Sequence, residues 1–141
     1  MANVVAMDIK IDSAYLPHED PDAAIAFYRD KLGFEVRNEV GYNGLHWLTV
    51  GPADQPDTSI VLYPPAAEGG VTDEERSMIA AMMAKGTFGR INLASSNLDA
   101  DFERLQQGDV DVVEEPTDMP HGIRECAVRD PSGNLIRIRQ V

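Results

Sequence analysis

The chain writes its helix-and-strand pattern twice, and that internal repeat restricts its architecture more than any other feature. In the first half a strand-like run, Met7–Leu16, leads into an amphipathic segment, Pro21–Leu32, and then into three short β-like runs, Phe34–Val40, Leu45–Val50 and Ser59–Tyr63. In the second half Phe88–Ser95 leads into a helical stretch carrying Leu98, Phe102 and Leu105. Val110–Glu114, Arg124–Val128 and Asn134–Gln140 follow it. Asp22 has its counterpart in Asp99 and the helix-closing Gly33 in Gly108, each a little over half the chain later. Repeats this long give two modules packed on one another rather than a solenoid. The expected fold is therefore α+β, with two tandem βαβββ modules forming a concave mixed sheet. Residues 7–63 make the first module, 64–87 a linker with an extra helix, and 88–141 the second module, all within one domain over 1–141. A ferredoxin-like fold without duplication is the alternative, and it has less room for seven or eight strands.

Local signals set the helix ends. Asp20 suits an N-cap, Pro21 the first helical position and Gly33 the residue beyond the last turn. Thr72-Asp73-Glu74-Glu75 reads as a capping box, and Gly86 closes the helix it opens. Met78, Ile79, Met82 and Met83 form one apolar stripe on that helix. The stripe reads as packing, with a pliable binding surface as the other possibility. Asn97 is expected to cap the helix of the second module.

Charge narrows the range of partners. Twelve Lys and Arg stand against twenty-four Asp and Glu, a net charge of −12. Nucleic-acid binders carry a basic face, and anionic membranes attract basic segments, so neither partner is expected. The apolar runs are far shorter than a bilayer span, and Met1–Val5 lacks the basic and apolar regions of a signal peptide. Cys126 is the only cysteine, which rules out an internal disulfide and points to a reducing, cytoplasmic setting.

Two motifs carry a family resemblance over nearly the whole chain. Asp20-Pro21 followed by Ala26-Phe27-Tyr28-Arg29-Asp30-Lys31-Leu32-Gly33-Phe34 resembles the D…FY…LGF signature of the vicinal oxygen chelate superfamily. Asp130-Pro131-Ser132-Gly133-Asn134-Leu135-Ile136 is similar to that superfamily's C-terminal DPxGN hairpin. The group includes glyoxalase I, bleomycin-resistance proteins, fosfomycin-resistance enzymes and extradiol dioxygenases. The resemblance implies paired βαβββ modules that shape an open cleft, and a homodimer.

Metal-dependent members of that superfamily hold a divalent ion through His, Glu or Gln on the first and last strands of each module. Counting from the two motifs places those positions at Ser13, Val61, Arg90 and Arg137. Valine has no donor atom, serine is a feeble ligand, and a protonated guanidinium offers no lone pair. Divalent ions need carboxylate, imidazole, thiolate or carbonyl donors. No metal and no cofactor is therefore expected. His18, His46 and His121 lack the i, i+2 or i, i+4 spacing that would aim two of them at one ion, and read as surface or hydrogen-bonded residues. Cys126 reads as a small buried hydrophobe rather than a nucleophile.

Strand alternation then populates the cleft. If Ile91, Leu93, Ile136 and Ile138 face the helices, Arg90, Asn92, Arg137 and Arg139 face the concave side. If Leu48, Val50, Ile60 and Leu62 are core, then Trp47, Thr49, Val61 and Tyr63 line the same side. The expected ligand-binding residues are Arg90, Arg137, Trp47, Tyr63, Asn92 and Ser13, and no catalytic residue is assigned. Guanidinium forks beside aromatic walls suit a small anionic or aromatic ligand. The other reading pairs the arginines with Asp12, Glu35, Glu39 or Glu125.

Three functions compete. One is a metal-free binding protein that sequesters its ligand. Another is a divergent lyase or isomerase drawing acid or base from Glu125, His121 or Tyr63. The third is an interaction module whose surface is the Met-bearing helix. A metal-dependent enzyme of the lactoylglutathione-lyase or dioxygenase kind requires the ligand positions to be counted differently.

Overall fold

The computed structural model describes residues 5–141; Met1–Val4, part of the N-terminus read above for targeting signals, lie outside it. Its strands and helices follow the repeated order. The first half comprises β1 (Ser13–Pro17), α1 (Pro21–Ile25) continued by a π-helical turn (Ala26–Lys31), β2 (Glu35–Tyr42), β3 (Leu45–Gly51) and β4 (Ser59–Tyr63). A 3₁₀ turn (Pro65–Ala67) and α2 (Asp73–Lys85) connect it to β5 (Arg90–Ser95), α3 (Leu98–Gln106), β6 (Asp111–Asp118), β7 (Arg124–Arg129) and β8 (Leu135–Gln140).

The strands form two mixed four-stranded sheets, ordered β1-β4-β3-β2 and β5-β8-β7-β6, with a parallel pair at β1–β4 and its equivalent β5–β8. Each half thus closes its own sheet. One face of each sheet is apolar: Leu16, Leu48, Val50, Ile60 and Leu62 in the first, Cys126, Val128, Ile136 and Ile138 in the second. These faces, with Phe27 and Tyr28 of the first helical segment and Leu98, Phe102 and Leu105 of α3, make a single core. The opposite faces of both sheets therefore look away from that core.

Several boundaries differ from the sequence reading, each for a local reason. The run Met7–Leu16 becomes a strand only from Ser13, because its parallel partner β4 begins at Ser59. Ser59 N–H donates to Asp12 O as the final bond beyond the register. The first helix starts where expected, with Asp20 Oδ1 accepting from Asp22 N and Ala23 N. It then widens, with Leu32 N–H donating to Phe27 O five residues back. Within that wide turn the adjacent Phe27 and Tyr28 are both buried and meet edge to face at 4.9 Å.

In α2 the capping box forms as read, with Thr72 Oγ1 accepting from Glu75 N and Glu75 Oε1 accepting from Thr72 N. Its methionine stripe divides. Met83 is buried, whereas Met78 and Met82 stay 56% and 42% exposed, so packing accounts for only part of it. Asn97 does not supply the side-chain cap of α3; Leu98 N–H donates instead to Gln140 Oε1, a residue on the neighbouring strand. Gly108 is not a left-handed terminator either, since α3 ends at Gln106 with Gln107 in right-handed helical conformation.

The two signature motifs meet in space and hold the halves together. The Asp130 carboxylate accepts four hydrogen bonds: from Ser132 N and Asn134 N at 2.9 Å, and from Tyr28 Oη and Asn134 Nδ2 at 2.7 Å. Asn134 Nδ2 also donates to Pro17 O at 2.8 Å, reaching the end of β1. Tyr28, Asp130 and Asn134 are all buried. Removal from water and the adjacent Asp130 charge push the Tyr28 hydroxyl pKa well above its ordinary value.

Candidate functional site

The outward faces of the two sheets carry the residues that alternation assigns to ligand binding. On the first sheet the ladder sets Tyr15 against Val61, Val61 against Thr49, and Thr49 against Asn38. Tyr63 pairs with Pro17 and Trp47 with Val40 on the same face, and Ser13 begins the outer row opposite Ser59. Tyr15 and Tyr63 contact at a centroid distance of 5.7 Å, tilted by 55°. Tyr15 is 60% exposed, and Trp47 and Tyr63 are partly buried. Partial burial, with Glu68 nearby, raises the Tyr63 pKa. This face is a shallow aromatic platform.

The second sheet is polar across the same rows. Asn92 sits beside Arg137, Arg137 beside Ala127 and Ala127 beside Glu114; one row on, Ala94, Arg139, Glu125 and Thr117 lie in line. Arg137 Nη1 donates to Glu125 Oε1 at 3.1 Å, and His121 Nε2 lies 3.9 Å from the same oxygen. The reading of the arginines as partners of internal acids thus describes Arg137 with Glu125. It does not describe Arg90, which is exposed and makes no ion pair or side-chain hydrogen bond among the described residues. Glu114 Oε1 is buried without a hydrogen-bond partner.

The expected site residues therefore fall into two sets. Trp47, Tyr63 and Ser13 share the first sheet's outer face; Arg90, Asn92 and Arg137 share the second's. None of the cavities described is lined by members of both sets. Of the six, only Asn92 lines any of the four main cavities, and that cavity lies between the modules beside Leu32, Phe34 and Leu105.

Sequence reasoning missed two members of these faces. Tyr15 was legible, because it alternates with the core residue Leu16 on β1. Glu114 was not, because a bulge between Val112 and Glu114 shifts the β6 register and turns Glu114 toward the outer side, opposite Ala127. The positions counted for metal ligands, Ser13, Val61, Arg90 and Arg137, all fall on the outer faces. They present a hydroxyl, a hydrocarbon and two guanidinium groups, a donor set that does not fit a divalent ion. Among the described residues no group of three or more His, Cys, Asp or Glu is placed to hold one. Cys126 is buried in the core, and burial, with the charges of Asp99 and Glu114, pushes its thiol pKa up to about 11. It is not a nucleophile at neutral pH. Among the described residues no helix is long and apolar enough to cross a membrane.

Paired four-stranded sheets, the Tyr28–Asp130 latch and the open outer faces define a glyoxalase-like scaffold. The chain belongs to the Glyoxalase/Bleomycin resistance protein/Dioxygenase superfamily, whose sequence model it matches over residues 10–138. It is 30% identical over 138 residues to YurT of Bacillus subtilis (strain 168), an alignment covering 95% of this chain and 99% of YurT. Its fold is similar to the crystal structure of UcmS2, with a TM-score of 0.82 and 37% identity over 96% of this chain and 100% of that one. It is also similar to TnmS3, an antibiotic-binding protein from Streptomyces sp. CB03234, with a TM-score of 0.71 and 28% identity over 96% of this chain and 98% of TnmS3.

Proposed function

We propose that this chain is a binding protein of the sequestration or resistance type, which takes up a small aromatic or anionic molecule without a metal or cofactor. The observation that carries this reading is the contrast between the two outer faces. One is an aromatic platform of Tyr15, Tyr63 and Trp47; the other offers Arg90, which pairs with no acid among the described residues. Aromatic area supplies most of the affinity for a planar ligand, and a guanidinium fixes a carboxylate at its edge. The similarity to TnmS3, described as antibiotic-binding, agrees with such a role.

A complete site needs both faces, so the working unit is a homodimer in which the first sheet of one copy faces the second sheet of the other. Exposed apolar side chains support that assembly. Val40, Tyr42 and Val113 are 49%, 68% and 43% exposed on the sheets, and Val5, Met7, Ile9 and Ile11 alternate along the N-terminal segment at 76–88%. Large apolar side chains left exposed in this number are candidates for burial between two copies. Residues 7–63 and 88–141 act as the two modules and 64–87 as their connection. The single buried thiol suits a cytoplasmic setting.

Trp47 is the only tryptophan, so its fluorescence reports on the site directly. Titration with 2-naphthoate, an aromatic carboxylate, is expected to quench it saturably, and the naphthoate is expected back chemically unchanged. Absence of saturation refutes the reading. The cluster of Glu125, Arg137 and His121 favours a second reading, a divergent lyase or isomerase with Glu125 as acid or base. Turnover that survives chelation and is lost in Glu125→Gln would establish that reading in place of sequestration.

A further inference from the structure

The N-terminal segment has the side-chain pattern of a half-buried strand but no strand beside it. Val5, Met7, Ile9 and Ile11 form one row of an extended chain, and Ala6, Asp8, Lys10 and Asp12 form the other. Every member of the apolar row is at least 76% exposed. Among the described residues the segment joins no sheet, since β1 begins only at Ser13.

The second sheet, in turn, has an open edge. Among the described residues β5 bonds to β8 on one side and to no strand on the other. A cavity of about 480 Å³ is lined by Asn92, Leu93, Ala94 and Ser95 of that strand. Their side chains alternate between the two faces of the sheet, so one cavity touches all four by following the strand's free edge. Leu32 and Phe34 of the first module and Leu105 of α3 add apolar walls. A slot with hydrocarbon on one side and an unpaired strand edge on the other suits an incoming strand. Such a strand brings side chains to the first and N–H and C=O groups to the second. An apolar cavity of roughly 150 Å³ holds a benzene ring, so this slot has room for about three side chains.

We propose that the slot receives residues 5–12 of a second copy, which add to β5 as a fifth strand of the second sheet. The chain's own arm is directed elsewhere. Ser59 N–H donates to Asp12 O, which fixes the root of the arm beside the start of β4. No glycine or proline lies between Val5 and Ser13 to turn the chain back on itself. Extended, the eight residues reach about 26 Å, enough to leave one copy and enter another. Met7, Ile9 and Ile11 then fill the slot. Asp8, Lys10 and Asp12 stay at its rim, where Lys31 and Arg104, with Asp54 and Asp101, offer partners of both signs. Twofold symmetry makes the exchange reciprocal. The inference rests on the homodimer proposed above and names what holds that dimer together.

Two experiments on the full chain test it. Sedimentation equilibrium compares the native chain with Ile9→Ser. Ile9 is exposed within one copy, so the variant keeps the monomer's fold, and its dimer dissociation constant is expected to rise at least about tenfold. For the arm's location, a nitroxide is attached to Asp8→Cys in unlabelled chain, which is refolded with an equal amount of isotope-labelled native chain; Cys126 is buried and escapes the reagent. The amides of Asn92–Ser95 in the labelled copy are expected to broaden. A chain that stays monomeric overturns both this inference and the homodimer. A dimer that Ile9→Ser leaves equally tight, or whose Asn92–Ser95 amides stay sharp, overturns the arm exchange and leaves the homodimer standing.

Discussion

Replacing Tyr28 with phenylalanine removes one hydroxyl and nothing else, at the point where the two signature motifs touch. The lost bond is 2.7 Å long, buried, and made to a carboxylate. Hydrogen bonds to charged groups contribute about 1.5–3 kcal/mol, and Asp130 keeps three other donors, so the expected loss at pH 8 is about 2 kcal/mol. Unfolding entropy of about 2.1 cal/mol/K per residue makes this a fall in Tm of roughly 7 °C for a chain of this length.

The pH dependence sharpens the test. Folding raises the Tyr28 pKa, so its contribution is complete below the unfolded value near 10 and is lost as the pH rises toward the folded value. At pH 11 an unfolded tyrosine is largely ionised, which costs the native chain about 1.4 kcal/mol that the phenylalanine variant does not lose. The difference between the two proteins should shrink from about 2 kcal/mol at pH 8 to roughly 0.6 kcal/mol at pH 11. The other tyrosines and the Cys126 thiol are common to both chains and cancel. Paired urea melts at the two pH values measure it. A difference that stays constant with pH, or one below about 0.5 kcal/mol at pH 8, refutes the latch.

The remaining predictions concern other positions. Gly133 has φ +84°, and an added Cβ would lie 2.1 Å from the Met83 carbonyl oxygen, so Gly133→Ala should lose at least about 3 kcal/mol in a denaturant melt. Gly69→Ala, with nothing within 4 Å, should stay within about 0.5 kcal/mol of the native chain. Arg137→Ala strands the nearly buried Glu125 and should cost about 1–2 kcal/mol, whereas Arg90→Ala, which breaks no ion pair, should be close to neutral in the same thermal melts. With its thiol pKa raised to about 11, Cys126 should react with iodoacetamide at pH 8 roughly a hundredfold more slowly in the folded chain than in urea. Equal rates would show that the thiol is neither buried nor perturbed.

Much of this fold was legible because local chemistry and global packing agree. The Thr72–Glu75 box, the Asp20-Pro21 start and the isoleucine alternation on β8 each have one physical reading, and the fold adopts it. What was not legible depends on partners distant in sequence. Asn97 loses its capping role to Gln140, forty-two residues beyond the Leu98 N–H that it accepts. The outer-face position of Glu114 requires the bulge in β6, which no period-2 count contains. Alternation gave Arg90, Asn92, Arg137, Trp47 and Tyr63 the faces they occupy, and counting from the motifs placed Ser13. That the faces belong to two separate four-stranded sheets follows from the strand pairing, and the strand pattern does not contain it. His18 looked like a surface or hydrogen-bonded residue; it is hydrogen-bonded and nearly fully buried, with partners at the His46 and Tyr63 carbonyls that lie far along the chain.

The central claim is that one copy's Trp47 face and another copy's Arg90 face make a single site. Mixing two variants tests it most directly. Trp47→Ala and Arg90→Ala should each bind 2-naphthoate at least tenfold more weakly than the native chain. After the two are unfolded together and refolded at equal concentration, half of the dimers pair unlike copies, and each of these holds one intact site and one doubly altered site. Calorimetry should then find native affinity in about a quarter of all sites. If the mixture binds no better than either variant alone, the site does not span two copies and the account is contradicted.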